Sequence, residues 1–235
     1  MVYREVRYVP ALYKIFDELL VNALDNTQRD PTGTTAIEIR IDQRNGELAV
    51  RNNGRGIPVA PHATEGVYLP ELVLGNLFSG SNFDDSRKRT VGGRHGFGAK
   101  LANIFSSVFK VETADAARGL LYEQEWRQNM SERSEARVSK LRRGGSDYTL
   151  MTLVPDMARL GEAAEDGKRF QDDTMALFTR RAYEVAACAP RARVSLNGQA
   201  LHTNSLRALI AMYLPANPSD ESAGVLRGKG AADAR

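Results

Sequence analysis

Cysteine, histidine and long apolar runs are scarce in this 235-residue sequence, and each scarcity excludes a class of protein. The lone cysteine, Cys188, excludes an internal disulfide and is typical of a reducing compartment. It lies among small apolar residues, where we expect its side chain to be buried. His62 and His202 have no metal-ligand spacing to each other or to Cys188. No apolar run has membrane-spanning length and no secretory signal opens the sequence, so we expect no membrane partner.

Excess charge of one sign is also lacking. Lys and Arg number 32 against 29 Asp and Glu, which leaves a formal net charge of +3. This balance does not indicate an extended DNA-binding face. Hydrophobic residues make up 42% and charged residues 26%, as in an ordinary globular protein. The length fits one large domain or two small ones.

A long amphipathic helix is predicted over residues 10–26, with Pro10 in its first turn. Apolar side chains recur at helical spacing, and a polar stripe runs beside them. That polar stripe is unusual, because Asn and Asp are poor residues inside a helix. Its oxygens suit a hard cation such as Mg²⁺ or a catalytic base, and the alternative is a solvated face. The apolar stripe is Leu12, Ile15, Phe16, Leu19 and Ala23, and the polar stripe is Glu18, Asn22, Asp25 and Asn26.

A β-hairpin is predicted next, from alternating residues 36–42, an Asn45-Gly46 turn and a return strand at 47–51. It runs into Asn52-Asn53-Gly54-Arg55-Gly56-Ile57-Pro58. The two glycines there indicate a sharp bend or a backbone that lies close to a ligand. Asn52 can offer both a donor and an acceptor to the edge of a base. A tight turn without a ligand is the alternative.

A glycine cluster then stands at residues 92–100, Gly-Gly-Arg-His-Gly-Phe-Gly-Ala-Lys. It is not a Walker A loop, because Ala99 separates the last glycine from Lys100, and it lacks the third glycine of a Rossmann fingerprint. Backbone amides at a helix start, with a lysine in the first turn, predict a phosphate site. A flexible surface loop is the alternative. We expect a helix to continue from it with Leu101, Ile104, Phe105 and Val108 on one face.

The rest of the sequence predicts further helices and strands. A short helix at 69–78 is followed by a polar segment, 79–90, that we expect to form a mobile flap. Strands are predicted at 109–114, 120–127 and 148–154, with polar connections at 131–145 and 161–168. A helix at 172–189, a hairpin at 193–203 and a last helix at 206–214 follow. From residue 215 onward the composition predicts disorder.

Three of these stretches in this order resemble the GHKL superfamily of ATPases. Within it, residues 9–26, 28–31, 52–58 and 92–100 resemble the ATPase domain of eukaryotic-type DNA topoisomerase II. Asn52 matches the eukaryotic variant, where most of the superfamily has Asp. The resemblance implies a two-layer α/β (α+β) sandwich over residues 1–214. In this Bergerat ATP-binding fold a mixed, mainly antiparallel sheet carries helices on one face.

The resemblance also implies the roles of individual residues. Glu18 would be the general base, Asn22 the Mg²⁺ ligand and Asn52 the reader of adenine. Ser81 and Asn82 would contact the sugar and phosphates, and the glycine loop would wrap the phosphates. The implied nucleotide contacts are Asn22, Asn26, Asn52, Gly56, Ile57, Ser81, Asn82, Gly93, Arg94, His95, Gly96, Phe97, Gly98, Ala99 and Lys100.

Some family features differ or are absent. Gly80 replaces a serine, His95 an asparagine and Phe97 a tyrosine of the family pattern. The family's N-terminal arm, transducer domain and DNA-cleaving tyrosine have no counterpart here, so we expect a nucleotide-binding domain alone. ATP and Mg²⁺ are the implied cofactors. DNA and a homodimer partner would be engaged by the complete enzyme, in the nucleus or a DNA-containing organelle. The alternatives are a dimerisation clamp that binds ATP without hydrolysis, disfavoured by Glu18, and a gyrase- or MutL-like ATPase, disfavoured by Asn52.

Overall fold

The computed structural model describes residues 1–76, 97–161 and 167–214. Six helices and nine strands lie within these residues. The helices are α1 (Pro10–Arg29), α2 (Leu69–Gly75), α3 (Gly98–Ile104), α4 (Met157–Leu160), α5 (Asp172–Cys188) and α6 (Leu206–Ala211). The strands are β1 (Ala36–Asp42), β2 (Glu47–Asn53), β3 (Ser106–Asp115), β4 (Leu120–Arg127), β5 (Glu132–Arg133), β6 (Arg137–Lys140), β7 (Tyr148–Pro155), β8 (Arg193–Leu196) and β9 (Gln199–Ala200).

All of these strands join one sheet in the order β5-β4-β3-β7-β2-β1-β8-β9, and β6 also pairs with β4. Neighbouring strands are antiparallel, except that β8 runs parallel to β1. The predicted mixed, mainly antiparallel sheet is therefore confirmed. β7 returns from late in the chain to lie between β2 and β3, which places the end of β2 beside the start of β7.

One face of the sheet is apolar and carries the helices. Every member of the apolar stripe predicted on α1 is buried, and the stripe packs into the same cluster as alternate residues of β1 and β2. The Phe16 ring on α1 lies 4.4 Å from the Phe178 ring on α5, measured between centroids. The opposite face is polar and carries cross-strand ion pairs such as Glu38–Arg51, at 3.1 Å. This division confirms the two-layer arrangement, because only one face of the sheet is sealed from water.

A turn of unusual backbone geometry follows β4. Gln128, Asn129 and Met130 have positive φ values of 49°, 58° and 67°. Three successive residues other than glycine in the left-handed region are uncommon. The turn docks on the end of α3, where the Asn129 side-chain amide donates to Ile104 O at 3.0 Å. The Asn129 backbone N–H donates to Ser106 O at the same distance. The turn thereby satisfies the Ile104 carbonyl, which the end of the helix leaves without a helical partner.

Two expectations are wrong. α3 ends at Ile104, and Val108 lies in β3, so Leu101, Ile104, Phe105 and Val108 do not share a helical face. Pairing of β3 with both β4 and β7 outweighs the helical spacing there. Cys188 is exposed rather than buried, because it is the last residue of α5 and the buried face of that helix passes through Val185 and Ala186.

Several other expectations change in detail or lie outside the described residues. The connection at 131–145 contains two short strands, β5 and β6, and α6 ends at Ala211. The predicted flap at 79–90, most of the glycine loop and the tail from residue 215 lie outside the described residues. None of the described helices is long and apolar enough to cross a bilayer.

Candidate nucleotide site

The Glu18 carboxylate is held between α1 and α3. Its Oε1 atom lies 2.7 Å from the Lys14 ammonium, one turn earlier on α1. Its Oε2 atom lies so close to Gly98 that a Cβ atom at residue 98 would stand 1.6 Å away. Glycine at residue 98 therefore allows Glu18 to keep this position, since any side chain there would displace the carboxylate. One oxygen of Glu18 thus faces Lys14 on α1, and the other faces the start of α3.

Asn22 lies one turn after Glu18 on α1, with its side-chain nitrogen buried. That Nδ2 atom has no hydrogen-bond partner among the described residues. Leaving a buried amide without a partner costs about 1–3 kcal/mol, so such a group calls for an explanation. A polar ligand that approaches α1 beside Glu18 would supply the partner.

The end of α1 is tied to the turn that follows β2. Asn26 donates from Nδ2 to Thr34 Oγ1 at 3.0 Å. Asp30 accepts from the Arg55 backbone N–H at 2.8 Å and from the Gly33 N–H at 3.0 Å. These two hydrogen bonds, of which the one from Arg55 has the larger effect, hold the pKa of the Asp30 carboxyl below its ordinary value of 3.8. Asn26 and Asp30 therefore fix where the Asn-x-Gly-x-Gly turn stands relative to α1.

Two glycines of that turn are required by their surroundings. Gly54 has a φ of +84°, and a Cβ atom there would lie 2.4 Å from Thr34 Oγ1. Gly56 lies over the end of β3 and the start of β7, where a Cβ atom would stand 2.6 Å from Thr113 Oγ1 and 2.9 Å from Tyr148 O. Ile57 follows, half-buried and packed against the core. Packing within the protein therefore explains both glycines, and a close approach to a ligand at this turn stays a prediction.

Asn52 is the last inward-facing residue of β2, with 4% of its surface exposed. Its Nδ2 atom donates to Asn53 O at 3.0 Å. Thr149 lies opposite it on β7, and the Thr149 hydroxyl is 3.3 Å from that of Thr113 on β3. Three buried polar side chains thus meet at one end of a mainly apolar sheet face. Sequence analysis missed both threonines, although a polar residue at an inward position of a strand is a detectable signal.

Phe97, Gly98, Ala99 and Lys100 are the described part of the glycine loop. The Leu101 backbone N–H donates to Phe97 O at 2.8 Å, so the first helical turn of α3 is formed here. Lys100 is fully buried, and its burial lowers the pKa of its ammonium group. Other implied contacts lie outside the described residues and stay predictions: Ser81, Asn82, Gly93, Arg94, His95 and Gly96.

Comparison with known proteins is consistent with this geometry. Residues 8–152 match the family described as Histidine kinase-, DNA gyrase B-, and HSP90-like ATPase. The chain is 44% identical over 92% of its length to "Probable DNA topoisomerase 2" of Dictyostelium discoideum. It is also 44% identical over 90% of its length to human DNA topoisomerase 2-alpha. It spans only 14% and 13% of these two relatives.

Solved structures give the same result. The ATPase region of Saccharomyces cerevisiae topoisomerase II aligns with a TM-score of 0.86 and 38% identity, over 91% of this chain and 55% of that one. The ATPase and transducer domains of Balamuthia mandrillaris DNA topoisomerase II align with a TM-score of 0.85 and 48% identity, over 90% of this chain and 53% of that one. The chain belongs to the family of histidine kinase-, DNA gyrase B- and HSP90-like ATPases, and nearly all of it is similar to the ATPase region of DNA topoisomerase 2.

Proposed function

We propose that this chain binds ATP with Mg²⁺ and hydrolyses it, as the ATPase domain of a type II DNA topoisomerase. Membership of the ATPase family and 44% identity to DNA topoisomerase 2 over 92% of the chain support the proposal. The single observation that carries the chemistry is the position of Glu18. Its carboxylate is held at the start of α3, beside the residues that match the family's phosphate loop.

Glu18 is the proposed general base. Phosphoryl transfer depends mainly on positioning and on neutralising charge, so the protein has to orient a water molecule and stabilise the phosphate oxygens. A carboxylate with both oxygens placed can accept a proton from that water. A clamp that binds ATP without hydrolysing it would have no use for such a group. The Lys100 ammonium, buried on the same short helix, is the proposed neighbour of the phosphates.

Asn22 is the proposed Mg²⁺ ligand. The described residues contain no group of three His, Cys, Asp or Glu side chains that could hold a metal. Mg²⁺ does not need such a group, because it commonly uses one or two protein oxygens together with substrate phosphates. Asn22 would hold the ion through Oδ1, and its buried Nδ2, which has no partner among the described residues, would remain able to donate to a phosphate oxygen. Bound Mg²⁺ would neutralise charge on the phosphates.

The polar end of the sheet is the proposed adenine site. Asn52 can donate to and accept from the edge of a base, and the hydroxyls of Thr113 and Thr149 lie beside it. DNA strand passage, homodimer formation and a nuclear location are also proposed, on the similarity to eukaryotic DNA topoisomerase 2.

The test separates binding from turnover. Glu18→Gln keeps the size of the side chain and removes its basicity, so we expect turnover to fall by about 10²–10⁴-fold. Affinity for a non-hydrolysable ATP analogue should stay near that of the unsubstituted protein. The matched control is Glu38→Gln, which changes a carboxylate on the far face of the sheet. Analogue affinity that falls together with turnover would contradict the assigned role.

A further inference from the structure

A chain of ion pairs connects α5 to the carboxylate of Glu18. Arg181 Nε on α5 lies 2.7 Å from Asp17 Oδ1 on α1. Lys14 Nζ lies 3.1 Å from Asp17 Oδ2 and 2.7 Å from Glu18 Oε1. Glu184 holds the far side of Arg181, at 3.2 Å. Both oxygens of Asp17 are therefore engaged, one by each cation.

The residues of these ion pairs differ in burial, so some are held by their surroundings whereas Lys14 depends on its partners. The side chains of Arg181 and Asp17 are only 20% and 14% exposed, whereas that of Lys14 is 59% exposed. An exposed lysine in a single ion pair is held weakly, because water screens the charge and the side chain is flexible. Here two carboxylates fix the Lys14 ammonium. One of them is itself anchored to α5, which packs against α1 through the rings of Phe16 and Phe178.

The Lys14–Glu18 pair is not explained by helix stability. A lysine four residues before a glutamate is in the less favourable order, and even a favourable pair contributes only about 0.2–0.5 kcal/mol. The buried apolar stripe already stabilises α1. Instead, the pair affects the rotamer of Glu18, in which Oε1 faces Lys14 and Oε2 faces Gly98. Without the ammonium group, the long glutamate side chain would be free to leave this rotamer.

We propose that Lys14 is a positioning residue for Glu18, and that Asp17 and Arg181 hold Lys14 in place. This inference rests on the proposed function, because it assigns Glu18 as the base. A base works only within hydrogen-bond reach of its proton and in a fixed orientation. Lys14 supplies the orientation without touching the nucleotide. Its loss should therefore lower kcat and leave KM for ATP unchanged.

The experiment compares Lys14→Met with a matched control in the protein at its natural length. Methionine keeps most of the stem and removes the charge, and we expect kcat to fall by about 10- to 100-fold, as for a displaced catalytic group. Lys14→Arg keeps a cation within reach of Glu18 and should restore most of that loss. Lys168→Met removes a lysine that forms an ion pair of the same spacing, Lys168–Asp172 at 2.8 Å, and should leave kcat unchanged.

A second background makes the test specific. With Glu18→Gln already present, adding Lys14→Met should cause no further loss, because no carboxylate remains to be oriented. The inference is overturned if Lys14→Met leaves kcat unchanged, raises KM alone, or adds a full further loss to Glu18→Gln. An equal loss in Lys168→Met would also overturn it. If Glu18→Gln alone turns over ATP normally, the assigned base is wrong and the inference falls with it.

Discussion

Gly98→Ala adds one methyl group where α3 meets Glu18. A Cβ atom at residue 98 would lie 1.6 Å from Glu18 Oε2 and 2.4 Å from its Cδ atom. The carboxylate must retreat by about 1.8 Å before the contact reaches the ordinary 3.4 Å. The obstacle is the free end of a flexible side chain, so the Glu18 rotamer should give way while the backbone stays in place.

We expect this substitution to lower activity without lowering stability. Displacing a catalytic group by about 1 Å can cost 10²-fold in rate, so turnover should fall by roughly that factor or more. Alanine is a better helix residue than glycine, by about 0.5–1 kcal/mol, and residue 98 opens α3. The unfolding temperature of Gly98→Ala should therefore be unchanged or higher. Affinity for a non-hydrolysable analogue should change little, because the methyl group faces Glu18.

The assay combines steady-state ATP turnover, titration with the analogue and thermal unfolding. Gly161→Ala is the control, because Gly161 has a φ of +73° and a Cβ atom there meets nothing within 4 Å. That substitution should cost about 1–2 kcal/mol of stability through backbone strain and leave turnover unchanged. Wild-type turnover in Gly98→Ala would refute the placement of Glu18. A loss of turnover together with a lower unfolding temperature would show that the fold, rather than the base, had been damaged.

Three further predictions concern other parts of the site. Asn52→Ala should weaken binding of ATP by about 10- to 100-fold and binding of bare triphosphate far less, as measured by calorimetric titration; equal losses would place adenine elsewhere. Asn129→Ala should lower the free energy of unfolding by about 1–3 kcal/mol, because it removes the donor to Ile104 O and leaves alanine at a φ of 58°. Urea unfolding would measure this loss of stability. Asn129→Gly should relieve the backbone strain but should not restore the hydrogen bond. Asp30 has a lowered pKa, so its stabilising effect should be complete above pH 3.8 and lost as the pH falls through the lower folded pKa. The stability difference between the unsubstituted protein and Asp30→Asn should shrink over that range, and a difference independent of pH would contradict the hydrogen bonds.

Local periodicity was enough to predict the helices and strands whose formation depends mainly on their own residues. The stripe on α1 is buried as predicted, and β1 and β4 have the predicted bounds. In both cases the apolar spacing is regular over several residues, and burial of that face dominates the energy. β5 and β6 were missed, because they are short, charged strands that exist only by pairing with β4.

The contacts that arrange the site depend on distant parts of the chain. The sequence predicted Glu18 and Gly98 separately, but their contact requires α3 to pack against α1. Thr149 lies beside Asn52 only because β7 inserts next to β2. The Arg181–Asp17 pair joins residues 164 positions apart, and no local pattern indicates it. Residue types were therefore readable from the sequence, while the geometry that makes them useful was set by the packing of the helices and by the order of the strands.

That strand order also bears on how the chain folds as it leaves the ribosome. The β1–β2 hairpin is local, but β2 gains its second neighbour only when β7 emerges, and β1 must wait for β8. At about 5–20 residues per second, the hairpin spends several seconds in synthesis with both edges open. The unpaired backbone groups along both edges of the hairpin can pair with other chains during that interval. The same late strands that complete the nucleotide site thus set the period during which the nascent chain is most prone to aggregation.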